Sequence, residues 1–237
     1  MAIDSALEQI REHLRRAADP RVAASMRRFF LEPVDFYGVP APGIREIARR
    51  AYHEVKGWPL AQRNRLCREL WKSGKSEEGT VVVYLYQRFR SQCGVCEFRL
   101  FDQWIERYVT NWGHCDGVAA WLVAASIENK PGLAAELATW TVSKNRWKRR
   151  AAAVALVRSA RKGRHSVLIL EVAGRLLEDP DDLVRKGVGW LLKEAYTTTP
   201  REVAAFLRER KTRAPRLVLR IAAEKMTGRD RSRVLDP

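Results

Sequence analysis

The chain predicts an all-α protein, a solenoid of stacked helical pairs, on three observations. Apolar residues recur at helical spacing over almost its whole length, and no stretch alternates as a half-buried strand does. The helices so marked run about four turns and are joined by short links, the pattern of helices packed in consecutive pairs. From residue 131 the chain repeats itself: Trp147-Lys148-Arg149-Arg150-Ala151 falls over Leu183-Val184-Arg185-Lys186-Gly187 at an offset of 36, from 183 minus 147. A pair of this size cannot fold alone, so each buries its apolar face on its neighbours, and a small rotation per unit yields a concave wall.

Each element has its own signals. Ile3, Leu7, Ile10 and Leu14 stripe a first helix that ends before Asp19-Pro20, a capping residue followed by a proline at the first helical position. Val22, Met26, Phe29 and Phe30 carry the second. Residues 32–43 hold Pro33, Gly38, Pro40, Pro42 and Gly43 and read as the longest connection, a packed surface loop. Ile44, Ile47, Ala51 and Val55 give a third helix, and Leu66, Leu70 and Trp71 a fourth, closed by Gly74. Ser76 is the expected cap of a fifth, using Val81, Val82, Leu85 and Phe89. Phe101, Trp104, Ile105 and Tyr108 mark the next, which leads to Asn111; Val118, Leu122 and Ala125 then continue to the break at Pro131-Gly132.

The same offset sets Asn145-Arg146 over Asp181-Asp182, where the second helix of each pair begins, and a shorter copy runs from Arg201 to Met226 with Ala214-Pro215-Arg216 at its second start. The run Asp179-Pro180-Asp181-Asp182-Leu183-Val184-Arg185 resembles the inter-helix turn of HEAT repeats, so the expected architecture is an α-solenoid of HEAT-like helical pairs with a concave basic surface. Residues 1–228 are expected to form a single domain. The basic tail at 229–237, Arg229-Asp230-Arg231-Ser232-Arg233 onward, is expected to be disordered.

Composition narrows the partner. Forty-four Lys and Arg against 28 Asp and Glu leave a formal charge of +16, which fits an anionic partner, nucleic acid first because a line of phosphates rewards many cations through counterion release. An acidic protein or an anionic membrane surface fits the charge as well. No apolar run approaches the roughly 20 residues of a membrane span, and the first residues lack a basic leader with an apolar stretch, so the expected place is the cytoplasm. The four cysteines, Cys67, Cys93, Cys96 and Cys115, read as free thiols. Cys93-Gly-Val-Cys96 with His114-Cys115 makes a poor zinc site, because adjacent His114 and Cys115 point apart on a helix.

Chemistry is sought at Asn111-Trp112-Gly113-His114-Cys115-Asp116. If Asn111 caps a helix, Trp112 and Asp116, four apart, share one face of its first turn. Large aromatics among cations return at Trp147 to Arg150 and at Arg185-Lys186-Gly187-Val188-Gly189-Trp190. If the second helix of each pair lines the concave wall, Arg149, Arg150, Arg185, Lys186, Lys193, Arg216 and Arg220 bring cations to it. The plainer alternatives are core aromatics, a carboxylate serving the helix dipole, and solvated charged faces. His13, His53, His114 and His165 show no partner spacing and read as bystanders to the chemistry. No phosphate loop, nucleophile elbow or paired-His metal motif occurs.

Through these residues, from the first helix to Met226, the sequence resembles the AlkD-like DNA glycosylases, the HEAT-like-repeat alkylation repair family. The resemblance implies that Trp112, Asp116 and Trp190 form a catalytic cleft and that Arg150 holds the DNA backbone beside it; the charge reading adds Lys148, Arg149, Arg185, Lys186 and Arg216 as further expected DNA contacts. The resemblance also implies release of purines alkylated at N3 or N7 from double-stranded DNA, with no metal and no organic cofactor; a capped solenoid of this length needs no partner to fold, so a monomer is expected. The chain departs from the pattern in one place: Ser25, before Met26-Arg27-Arg28, stands where the family carries an aromatic cleft residue, and Phe29 or Phe30 in the next turn is the candidate to substitute.

The residue types suit that reaction. A cationic alkylpurine leaves as a neutral base without an acid, so one carboxylate suffices where glycosidases ordinarily use two. It would face the positive charge growing on the sugar and position the attacking water, while indole faces attract the cation and exclude solvent. The competing readings are a HEAT-like module that binds damaged or branched nucleic acid without chemistry, and a scaffold for an acidic protein.

Overall fold

The structure is a computed structural model and describes residues 2–236. Among these residues the chain is all-α and built of packed helix pairs, with one isolated bridge between Asp35 and Lys75. Its contacts group into two compact units: residues up to Gln92 with Tyr108–Gly117, and Cys93–Arg107 with residues from Val118 on.

The first unit holds α1 (Ala2–Arg16), α2 (Pro20–Arg27), α3 (Ala41–Val55), α4 (Leu60–Lys72) and α5 (Ser76–Gln87). Helix α6 (Val95–Arg107) belongs to the second unit, and the short α7 (Trp112–Gly117) to the first. The apolar stripes land where their spacing puts them: Ile10 and Leu14 of α1, Ile44, Ile47, Ala51 and Val55 of α3, and Leu66, Leu70 and Trp71 of α4 are buried. Helix α5 packs against α3, α4 and α7 and is buried on nearly all sides, so its two first-turn carboxylates, Glu77 and Glu78, need partners inside the protein.

In the second unit a π-helical turn at Val118–Val123 leads into α8 (Ala124–Asn129), and a 3₁₀ turn at Pro131–Glu136 into α9 (Leu137–Trp140). There follow α10 (Arg146–Val154), α11 (Val157–Arg161), α12 (Ser166–Leu176), α13 (Asp182–Tyr196), α14 (Pro200–Glu209), α15 (Arg216–Ala222) and α16 (Gly228–Leu235). Helix α13 packs on α10, α11, α12, α14 and α15. The repeat is visible in its caps: Asn145 accepts the Trp147 N–H at 2.9 Å, and Asp181, 36 residues on, accepts that of Leu183 at 2.8 Å.

Four expectations are corrected. Helix α2 stops at Arg27, leaving Phe29 and Phe30 beyond its end. Ser76 is the first residue of α5 rather than its cap; Lys75 precedes it, and no side chain closes the helix. The helix after Asn111 is not continuous, because the π-helical turn interrupts it. The tail expected to be disordered at 229–237 forms α16 as far as Leu235, Pro237 lying outside the described residues: Val234 is buried, Asp230 accepts the Tyr196 hydroxyl at 3.0 Å, and Arg231 donates to the Ala223 carbonyl at 3.1 Å. A buried apolar anchor and hydrogen bonds to residues of α13, α15 and the stretch before it order a segment whose composition alone reads as solvated. Among the described residues, no helix is long and apolar enough to cross a membrane.

Candidate active site and nucleic-acid interface

Helix α7 is capped as its sequence predicts: the Asn111 side-chain oxygen accepts the His114 N–H at 2.9 Å. Trp112, Gly113, Asp116 and Gly117 are half-exposed while His114 and Cys115 are buried, so the indole and the carboxylate occupy the outer face together. The Trp112 ring lies stacked on Phe30, centroids 5.1 Å apart and planes 15° from parallel, and its Nε1–H donates to the Phe29 carbonyl at 3.1 Å. Phe30 in turn meets Phe36 at 5.6 Å. Of the two candidates to replace the missing aromatic at Ser25, Phe30 is the one whose ring meets Trp112; Phe29 is 71% exposed.

His114, which sequence reading sets aside, holds this helix from beneath. Its Nε2 lies 2.8 Å from the Ser76 carbonyl, which can only accept, so Nε2 carries the proton and Nδ1 accepts from the Asn111 amide at 3.2 Å. Burial pushes its pKa down, opposed by the bond to Ser76. Trp71 packs edge-on to the imidazole at 5.0 Å, and Gly79 makes room for both: a Cβ there would lie 2.4 Å from Trp71 and 2.7 Å from His114. The preceding loop is clamped from the same helix. Glu77 accepts the backbone N–H groups of Tyr37, Gly38 and Val39 at 3.1, 2.8 and 3.1 Å, and Glu78 accepts the Tyr37 hydroxyl at 2.8 Å and pairs with Arg11 at 3.1 Å. Burial first, then Glu78, pushes the Tyr37 phenol up to about 12.

In the second unit, Trp147 is buried with the Arg146 guanidinium 4.4 Å from its ring, whereas Trp190 is half-buried on α13. Arg150 is 6% exposed and donates to the Leu183 carbonyl; it runs past Gly187, where an added Cβ would touch its stem at 3.5 Å. Several of the expected DNA-binding cations are held by carboxylates: Lys148 by Asp102 at 2.7 Å, Arg149 by the buried Asp179 at 2.6 Å, Arg185 by Asp182 at 2.9 Å and Lys193 by Glu224 at 2.7 Å. Arg216 is exposed and donates to the Leu235 carbonyl of α16. Lys186 and Arg220 are exposed with no ion-pair partner among the described residues, as are Arg27 and Arg28 beside Phe29.

The sequence model of one protein family, described as DNA alkylation repair enzyme, matches residues 10–226. The chain belongs to that family. A solved structure described as a predicted DNA alkylation repair enzyme from Enterococcus faecalis is similar at TM-score 0.80 and 17% identity, covering 89% of this chain and 97% of that one. Another, from Streptococcus mutans UA159, is similar at TM-score 0.61 and 17% identity over 90% of this chain and 100% of that one. No curated protein matches the chain.

Within this DNA alkylation repair protein, sequence reasoning missed His114, Gly79 and the Glu77–Glu78 clamp. The signal that could have revealed the clamp is two adjacent acids opening an otherwise apolar helix, a pattern that burial makes costly unless both acids are paired. The four cysteines are free, Cys96 exposed and the others buried, and burial pushes the Cys67 thiol up. No group of three or more His, Cys, Asp or Glu side chains among the described residues converges as metal ligands.

Proposed function

We propose that this alkylation repair protein is a DNA glycosylase that hydrolyses the N-glycosidic bond of N3- and N7-alkylated purines in duplex DNA. The observation that carries the reading is the pairing of the fixed indole of Trp112 with the Asp116 carboxylate on one half-exposed face of α7. Neither a binding module nor a scaffold needs an acid on a DNA-facing surface, where it repels phosphate; a developing sugar cation does.

In this reading Asp116 faces the oxocarbenium charge and orients water, and Trp112 shields it from solvent and attracts the cationic base, a contact worth about 0.5–2 kcal/mol. Because the leaving purine already carries its positive charge, no second acid is required. Trp190 keeps the role of second indole and Arg150 that of holding the backbone of double-stranded DNA, both on the family resemblance; Lys148, Arg149, Arg185, Lys186 and Arg216 are proposed as further backbone contacts on the excess of cations. The second helices α10, α13 and α15 are proposed to form the basic concave wall of their unit. No metal or organic cofactor enters the scheme.

The test is release of 7-methylguanine from methylated duplex DNA. Asp116→Asn is expected to abolish release while retaining salt-sensitive duplex binding. Binding without release in the wild-type protein would instead favour a non-catalytic module, and an active Asp116→Asn would remove the carboxylate from the mechanism.

A further inference from the structure

The second unit carries a cavity of about 300 Å³, lined by Trp121 and Trp190, Val157, and the cations Arg158, Arg161 and Lys162. Trp121 comes from the π-helical turn, which buries its other five residues and leaves this indole 50% exposed. Four further tryptophans, at 71, 104, 140 and 147, are buried, so an indole kept half in water beside a cavity stands apart. The Arg158 guanidinium lies 5.5 Å from the centre of its ring.

Charge around the cavity is in excess. Glu128 is shared by Arg158 at 3.3 Å and Lys162 at 2.6 Å, and Glu194 by Arg161 at 2.9 Å and Lys225 at 2.7 Å. Four cations divided between two carboxylates leave two formal positive charges. A ligand that satisfies both the indoles and the surplus is flat, aromatic and anionic. Free phosphate has no use for the rings, and an acidic peptide has no flat face to lay on them.

We propose that this cavity takes a nucleotide that has left its stack, with the base on Trp121 and Trp190 and the phosphate drawn to Arg158, Arg161 and Lys162. Aromatic faces beside cations are what sequence-tolerant binding of unstacked nucleotides requires. The inference rests on the nucleic-acid reading above for its ligand, and beside the cleft role proposed for Trp190 it adds Trp121 and the cations around it to that reading.

The probes are an unmodified single-stranded oligodeoxyadenylate, the same strand in a duplex, and deoxyadenosine 5′-monophosphate, bound to wild type, Trp121→Ala and Trp121→Phe of equal melting temperature. Trp121→Ala should weaken the strand, the mononucleotide, or both by roughly 5- to 150-fold, the range that one base stacked on an aromatic spans. Trp121→Phe should keep most of the affinity, and duplex binding should change little. A loss on the strand alone identifies a nucleotide within a chain as the ligand; a loss on the mononucleotide identifies a free one.

The proposal is overturned if the wild type binds neither probe, if Trp121→Ala binds both as the wild type does, or if duplex and single strand weaken equally. No probe carries an alkylated base, so binding of these probes is read independently of 7-methylguanine release. Stacking without 7-methylguanine release would leave the pocket standing and remove the glycosylase reading, and the reverse result would do the opposite.

Discussion

Replacing Gly79 by alanine should destabilise the protein, against the usual sign for a helix interior. Alanine in place of an ordinary helical glycine gains about 0.5–1 kcal/mol. Here the new methyl would sit 2.4 Å from Cζ3 of the buried Trp71 and 2.7 Å from Cε1 and Nε2 of His114, distances at which side chains must move. Overpacking of this kind costs about 1–3 kcal/mol, and losing the imidazole's bonds to Ser76 and Asn111 adds about 0.5–1.5 kcal/mol each. The net expectation is a loss of about 1–5.5 kcal/mol, at roughly 2–4 °C of melting temperature per kcal/mol for a chain of this size. Urea unfolding of Gly79→Ala beside Gly174→Ala, inside α12 and with its new methyl no nearer than 3.6 Å to Phe206, separates crowding from propensity. Because His114 seats the helix that carries Trp112 and Asp116, release of 7-methylguanine should also fall, by up to about 100-fold for a shift near 1 Å. A Gly79→Ala protein as stable as the wild type would show that the contact between α5 and α7 yields freely and that His114 positions nothing.

Two further outcomes follow from the same geometry. Burial lowers the folded-state pKa of His114 below its ordinary value of 6.5, so its contribution to stability is fully present above that value and is lost as pH falls below it; urea midpoints taken from about pH 8 to about pH 5 should drop less in His114→Gln than in the wild type, and parallel curves would contradict the neutral, buried assignment. Lys186→Ala and Arg220→Ala should leave stability unchanged and each lower the salt dependence of duplex binding by about one unit, read from affinities at several salt concentrations; an unchanged slope would show that these side chains meet no phosphate.

How far the sequence was legible depended on whether the information was local. The caps at Asn111, Asn145 and Asp181 and the stripes of α1, α3 and α4 follow from residues within a turn or two of one another, and they stand where the spacing puts them. So does the shared outer face of Trp112 and Asp116. What was hidden depends on contacts between distant residues. The function of His114 needs Ser76, 38 residues away, and the space left by Gly79; the placement of Phe30 on Trp112 spans a still longer gap in the chain. The tail read as disordered because its anchor, Tyr196, lies 34 residues before the Asp230 that it binds.

Charge illustrates the same limit and corrects how a basic composition should be used. Arg149 pairs with Asp179, Lys193 with Glu224 and Arg161 with Glu194, at separations of 30, 31 and 33 residues, close to the repeat length, so the bases of one helical pair bind the acids of the next. Each such pair removes one charge of either sign and leaves the excess of 16 untouched. The excess therefore measures attraction to an anion from a distance, while the identity of the contacts is set by which cations remain unpaired. A basic residue beside an aromatic, as at Lys148 and Arg149, is then a weaker pointer to DNA than an exposed one with no acid in reach. By that criterion Lys186 and Arg220 on the second unit, and Arg27 and Arg28 next to the ring that supports Trp112, are among the side chains from which counterions can be released without first breaking an ion pair.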